Sequence, residues 1–428
     1  MLSSIIDAFK VPELRNKILF TLAILALYRF GAYVPVPGIP FNEFANQFTE
    51  SGGVSMTMLD LFTGGALSNF SAFSLGIMPY ITASIIMQLM QGVIPAVGRW
   101  AKEGETGRRR ITQVTRYLTL GLGLINAIGY LLLFKSPAYG VQFSTDVPPI
   151  LTDIMVVFTL VAGTAFIMWM GELITQRGVG NGMSLIIFVS IVSRVPSAIY
   201  SSITESSADM GMSIAITLLI VLVVLACIPA IIFVERAQRR IPVNYAKRVQ
   251  GRKMMGGQST YIPLKVNAAG VIPIIFASCL IYFPAQLAAL FNVEWLTFAA
   301  DAISTGWVNW ILTAVLIVFF AYFYTSMVFN PDETADNLRK QGGFIPGVRP
   351  GSATVHYIKN VLHRVTLPGG IFIAVIAVVP TIIFFFTGNQ LVQAFGGTSI
   401  LIMIGVALDT MNKVESQLKM HNYDGFFK

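Results

Sequence analysis

Apolar runs of about 20 residues recur along the whole chain, each closed by proline, glycine or clustered charge, and a run of that length fits the ~30 Å of hydrocarbon in a bilayer. The pattern predicts ten membrane spans, at about 17–36, 73–93, 114–134, 152–174, 182–203, 212–234, 267–290, 308–328, 366–386 and 395–413. Two of the cleanest runs, Ile214–Val234 and Trp310–Phe329, hold no charged residue. Between the first two spans lies a different kind of segment, "SMTMLDLFTGGALSNFSAFSLG" (55–76), in which Gly64 and Gly65 interrupt the apolar pattern. It is too short to cross, so a re-entrant or interfacial path is expected, as a short outer-side helix dipping inward.

Two phrases are used twice. "GIMPYITAS" (76–84), at the start of the second span, returns as "GVIPIIFAS" (270–278) at the start of the seventh. "GMSLII" (182–187) in the fifth span returns as "GTSILI" (397–402) in the tenth. Spans one to five therefore pair with six to ten, dividing the chain into 1–205 and 206–428. Five is odd, so the second half must run upside down, the usual plan of proteins that pass something through their own middle. Pro79 and Pro273 are expected to free backbone groups and bend their helices at the place where the halves meet.

Composition makes a soluble reading untenable: 55% of the 428 residues are hydrophobic and 12% charged, against roughly 25% charged in ordinary soluble domains. Charge also orients the chain. With the N-terminal side inside, 26 of the 29 basic residues fall on that side and only Arg29, Lys135 and Arg194 near the other. The outer side carries Glu43, Glu50, Asp60, Glu205, Asp209, Glu294 and Asp301. Both termini are thus expected in the cytoplasm. The first apolar run, "NKILFTLAILALYRFGAYVPVPG", lacks a small-residue cleavage site and reads as a span rather than a signal peptide.

The residues offer little chemistry. Glu172, Glu235, Asp409, Asp153 and Arg29 lie toward span ends rather than at mid-membrane, where a solute carrier would place them. His356, His363 and His421 sit in cytoplasmic segments without a metal-ligand partner at sensible spacing, and Cys227 and Cys279 read as thiols buried in spans. No nucleotide loop, nucleophile triad or paired carboxylate can be assembled, so an enzyme, a cofactor and a metal are not expected. What the repeated phrases do carry is isoleucine at mid-span. A pore narrowed by branched apolar side chains closes by expelling water and can part around something wide.

Two long inner loops complete the picture, at about 235–266 and 329–365. The first holds eight basic residues, with β-branched and aromatic residues flanking "GGQ", and suggests a projecting hairpin. Arg252 and Lys253 sit too far from the span ends to serve only topology, and charge alone leaves open a phosphate backbone or an acidic protein face as partner. The second brackets Arg349 between Pro346–Gly347 and Pro350–Gly351, turns that present a single cation.

The whole chain resembles the SecY family of bacterial protein-conducting channel subunits. The resemblance is carried by "YVPVPGI" (33–39), "LFTGGALSNFSAFSLGIMPYITASII" (61–86), "KEGETGRRRITQVTRY" (102–117), "GELITQRGVGNGMSLIIF" (171–188), "ERAQRRIPVNYAKR" (235–248), "PLKVNAAGVIP" (263–273), "FNPDETADNL" (329–338), "GFIPGVRPG" (343–351) and "FGGTSILI" (395–402). It implies an all-α polytopic membrane protein: ten transmembrane helices in two inverted five-helix halves, with a re-entrant plug helix at about 59–72. By motif position it implies a six-residue apolar pore ring of Ile77, Ile81, Met183, Ile187, Ile275 and Ile402, methionine at 183 departing from the commoner isoleucine. It implies a plug that includes Asp60, Phe62, Gly64, Gly65, Leu67 and Phe70, and a lateral gate along Pro79, Thr82, Ser84, Pro273, Ser278 and Phe283. Arg252, Lys253 and Arg349 take positions resembling contacts for the translating ribosome, through its rRNA and tunnel-exit proteins, and for the motor ATPase SecA. Small membrane subunits resembling SecE and SecG, signal sequences, nascent membrane proteins and the lipid bilayer are the other implied partners. The implied work is translocation of unfolded preproteins across the bacterial cytoplasmic membrane and sideways release of transmembrane segments into it, with energy supplied by a partner.

Overall fold

The computed structural model describes residues 9–37, 60, 62–135, 148–204, 210–245, 248–250, 253–255, 259–291, 306–387 and 396–424, with isolated positions 295, 298, 302 and 303. Arg252 and the outer acids Glu43, Glu50, Glu205, Asp209, Glu294 and Asp301 lie outside these residues, as do the side chains of Lys253 and Phe283.

Helices occupy each of the ten expected segments. In chain order they are α1 (Pro12–Gly31), α2 (Met78–Val93), the short α3 (Pro95–Lys102), α4 (Glu105–Lys135), α5 (Pro149–Arg177), α6 (Gly182–Thr204), α7 (Met210–Arg236), α8 (Ile272–Phe291), α9 (Gly306–Val328), the short α10 (Pro331–Lys340), α11 (Ser352–Thr387) and α12 (Gly397–Asp424). Among the described residues, five stretches are long and apolar enough to cross a membrane by themselves, in α4, α5, α6, α9–α10 and α11, and the bent pair α2–α3 makes a sixth if counted as one.

The repeated prolines do not bend anything. Pro79 stands in the first turn of α2 and Pro273 is the second residue of α8. A first-turn N–H has no intrahelical partner to lose and the fixed φ of proline suits that position, so these residues start helices rather than break them. The bend comes later, at Ile94, where α2 meets α3 at 100° ahead of Pro95. Residues before proline avoid helical geometry, and Ile94 is extended (φ −98°, ψ 113°).

Helices α4 and α5 are riveted at both ends, by Arg116 with Glu172 and by Lys135 with Asp153. Glu172 and Asp153, which hydropathy placed toward span ends, thus find cations on the neighbouring helix. The C-terminal half has its own apolar core around Ile274, Phe276, Ile317, Phe320, Ile373 and Ile400. A larger core runs from α1 to α6 and takes in Ile275, Cys279, Ile402 and Val406 from the second half, so it spans both halves.

The two inner loops make one body. Strand β1 (Gln238–Tyr245) pairs antiparallel with β4 (Ser259–Lys265), Ile241 opposite Ile262, and its other edge pairs with β5 (Gly343–Phe344) from the second loop. Ile241 and Val243 alternate inward along β1 and pack with Leu264, Leu338, Ile345, Ile358 and Leu362. At the tip, β2 (Arg248–Gln250) pairs with β3 (Lys253–Met255), Gln250 opposite Lys253. The expected hairpin is present as these two pairs of antiparallel strands. Helix α11, 36 residues or ~54 Å long, begins well before the expected span and joins this body to the bundle.

Candidate functional site

The centre of the molecule is assembled from four helix starts. Ile77 caps α2 and Ile81 lies one turn on; Met183 and Ile187 occupy the first turns of α6; Ile275 lies in the first turn of α8 and Ile402 in the second of α12. All six are buried, none more than 8% exposed, and all belong to one continuous apolar cluster. Helix starts can approach this closely because small residues stand there. A Cβ on Gly182 would lie 2.0 Å from the Gly171 carbonyl oxygen of α5, and one on Gly397 1.9 Å from the Ile376 carbonyl oxygen of α11. These glycines are equivalent positions of the second repeated phrase, and each seats its helix against the one before it in the chain.

The re-entrant segment fills the same cluster with Phe62, Ala66, Leu67, Phe70 and Phe73. It is a chain of turns more than a helix. Helical geometry is confined to Asp60, Phe62 and Thr63 among the described residues, because Gly64 (φ 69°) and Gly65 (φ 90°) leave the right-handed region. Backbone groups at this depth still need partners, and the segment supplies them. Gly65 N–H donates to Asp60 O (3.1 Å), Ser71 N–H to Ala66 O (3.0 Å), and the Ser74 hydroxyl to Ala66 O (2.9 Å). The chain just after α1 adds two more: Val36 N–H donates to Phe70 O (3.1 Å) and Ala72 N–H to Val34 O (2.9 Å). Phe70 itself is held at φ 37°, strained for a residue with a side chain.

Polar anchors that hydropathy did not mark surround this segment. The Tyr28 hydroxyl donates to Thr63 O (3.3 Å) and shares a 2.7 Å hydrogen bond with Ser190, joining α1, segment and α6. Arg29 donates to Gly64 O at 2.7 Å. Arg194 forms an ion pair with Asp60, whose side chain is 3% exposed. The available signal was their position: Arg29 and Arg194 are two of only three bases on the acidic side of the chain.

Along the seam, α2 faces α8. Ile81, Ile275 and Cys279 pack in one cluster, and Ile85 touches both this cluster and the core of the C-terminal half. Pro79, Pro273 and Ser278 are buried, Thr82 and Ser84 partly so. The Thr82 hydroxyl donates to Met78 O (3.1 Å) and that of Ser278 to Ile274 O (2.9 Å), so both bond within their own helix and leave the seam free of hydrogen bonds from these groups. Beside the start of α8 opens a polar cavity of about 260 Å³, lined among others by Asn181, Glu235, Asn267, Gly270, Asp409 and Asn412. Its Asn267 amide donates to Glu235 (2.8 Å) and to Gly270 O (3.0 Å).

Arg349 is exposed on the inner body, between Gly347 (φ 82°) and Gly351 (φ 109°), with its carbonyl held by the Thr354 hydroxyl (2.9 Å). Left-handed geometry at both glycines is what the paired Pro–Gly turns anticipated. Lys253 contributes its backbone to β3 at the hairpin tip.

The sequence model of the SecY family matches residues 71–411. The protein translocase subunit SecY of Streptomyces griseus is 46% identical over 443 aligned residues, covering 100% of both chains. Among solved structures, one described as "The structure of a protein conducting channel" superposes with a TM-score of 0.62 at 16% identity, covering 93% of this chain and 91% of its own. Another, of a SecY protein whose plug domain is described as stabilising the closed state and maintaining a membrane seal, gives 0.61 at 17% identity with the same coverage.

Proposed function

This chain belongs to the SecY family, and from that premise we infer that it is the protein-conducting channel through which unfolded preproteins cross the bacterial cytoplasmic membrane. The observation that carries the reading is the convergence of six apolar side chains, drawn from both repeated phrases of both halves, on one buried cluster shared with the re-entrant segment. Ile77, Ile81, Met183, Ile187, Ile275 and Ile402 act as the constricting ring, and the segment at about 59–72 as the plug beneath it. Ten spans in two inverted halves, 1–205 and 206–428, close around them like a clamp.

An apolar ring suits a client of any sequence. It seals by dewetting when empty and fits loosely around a chain when full, with no ligand-specific contact to lose. The seam between α2 and α8 serves as the lateral gate, through which an apolar client segment reaches lipid. Each leucine-like residue gains ~0.3 to 0.6 kcal/mol there on the insertion scale, so recognition needs access rather than a pocket. Arg252, Lys253 and the exposed Arg349, carried by the two long loops, serve as the docking surface for the ribosome or for SecA, which supplies the energy. SecE-like and SecG-like subunits complete the complex, and both termini lie in the cytoplasm.

Locking the seam tests the reading. With Cys227 and Cys279 replaced by serine, Thr82→Cys is paired with single cysteines scanned from Ser278 to Pro284. Alpha-carbons within ~7 Å can bridge, so at least one pair should oxidise in the resting complex. That form should export no preprotein in reconstituted vesicles and should recover on reduction. A fully cross-linked complex that exports at the parent rate would make the seam mere packing.

A further inference from the structure

We propose that Arg194 is a positioning residue for the plug: with Asp60 it forms a charge latch that holds the re-entrant segment shut, from a helix of the bundle wall. The inference rests on the plug reading above.

Two polar contacts and a close approach of the backbone put Arg194 in that role. Its guanidinium pairs with the Asp60 carboxylate, and the same terminal nitrogen donates to the Ser68 hydroxyl at 3.0 Å. Asp60 in turn accepts the Ser68 N–H (2.9 Å) and the Thr63 hydroxyl (3.2 Å) through its other oxygen. Arg194 therefore grips both ends of the loop from 60 to 68, and the loop closes on itself through the acid it grips. The chain also passes directly against the guanidinium: a Cβ on Gly65 would lie 3.2 Å from Arg194 Nε. A second cation works beside it. Arg29 donates to the Gly64 carbonyl, and a Cβ on Gly64 would lie 2.9 Å from its Nη1. The third outer-side base, Lys135, pairs with Asp153 of α5.

An ion pair suits a latch better than it suits a core. Two charges withdrawn from water add little net stability over apolar packing, but removing one partner leaves the other buried and uncompensated. Held shut, the pair fixes one register of a segment whose turns and glycines would otherwise admit several. Once a client displaces the plug toward water, both charges regain hydration, so release meets less resistance than separating an apolar contact of the same tightness. The device is firm when undisturbed and yields when pushed.

Resting ion conductance of the assembled complex in planar bilayers provides the test. Arg194→Ala and the nearly isosteric Asp60→Asn should each raise resting open probability about tenfold or more, short of the full effect of breaking a buried pair because the Arg194 side chain is 28% exposed. Combined, they should do no more than the stronger single change, since each removes the same interaction. Arg194→Lys should stay within about threefold of the parent because the charge is kept. The charge-swapped chain, Asp60→Arg with Arg194→Asp, should recover most of the seal, which a purely packing role for either side chain would not allow. Deletion of residues 60–70 serves as the reference. If deletion leaks while both single variants hold at parent level, or if their effects simply add, the latch is refuted and the plug stands. If deletion itself leaves conductance at parent level, plug and latch fall together.

Discussion

The two copies of the repeated phrase share a backbone and differ in what surrounds it. Gly76 (φ 55°) and Gly270 (φ 62°) both take the left-handed turn that precedes a helix. In the first copy the Ile77 carbonyl accepts the N–H groups of Tyr80 and Ile81, both at 3.1 Å. In the second the Val271 carbonyl accepts those of Ile274 and Ile275, at 3.2 and 3.3 Å. Ile81 and Ile275 then arrive at the same central cluster from opposite halves. Yet a Cβ on Gly76 would stand 3.0 Å from Thr63 Cγ2 of the re-entrant segment, whereas one on Gly270 would meet nothing within 4 Å and that residue lines the polar cavity. The difference lies upstream. The first copy follows a segment folded back into the bundle; the second follows β4, a strand returning from the inner body. A short phrase thus encodes a helix start, and the insertion before it decides whether that start is covered or open.

The largest effect should come from the positions where the halves behave alike. Gly182→Val and Gly397→Val each drive a side chain into a carbonyl oxygen of the preceding helix, at 2.0 and 1.9 Å from the Cβ position. Backbone cannot step aside as a side chain can, so both should lose at least the ~1–3 kcal/mol typical of overpacking. Size-exclusion profiles and thermal melts of the detergent-solubilised complex should show equal loss. Tolerance at one site but not its twin would break the equivalence of the halves.

The ring sits between likeness and difference. Ile81→Gly with Ile275→Gly should wet the constriction and raise resting conductance well above either single change, because one bulky residue from either half still narrows the opening. A double variant at background conductance would remove these residues from the seal.

The smallest effect sharpens the contrast between the copies. Alanine at Gly76 or Gly270 meets the same left-handed strain, ~1 kcal/mol. Only Gly76→Ala also presses on Thr63, so it should melt earlier than Gly270→Ala, and its resting conductance alone should rise. Identical behaviour would mean that Thr63 gives way and the segment above α2 is looser than its hydrogen bonds imply.

Hydropathy and two repeated phrases were enough to foresee a helix in each of the ten expected segments, and the resemblance supplied the six side chains that pack together in one buried cluster. The features that marked the helices are local or periodic: length against bilayer thickness, a glycine two residues ahead of a helix. The paired Pro–Gly turns around Arg349 were legible for the same reason, since each residue type restricts its own φ. Proline at 79 and 273 misled, because a kink and a helix start differ only in whether residues four positions earlier are already helical. Contacts between distant segments were decided by the tertiary structure alone. Nothing in the sequence pairs Arg194 with Asp60, 134 positions apart, or Tyr28 with Ser190, 162 apart. Nor does it say that β5 completes the sheet of another loop, or that Asn267, Glu235 and Asp409 share a cavity. A hydrogen bond or ion pair needs its two groups within about 3 Å, and only the packed helices bring residues so far apart in the chain to that distance.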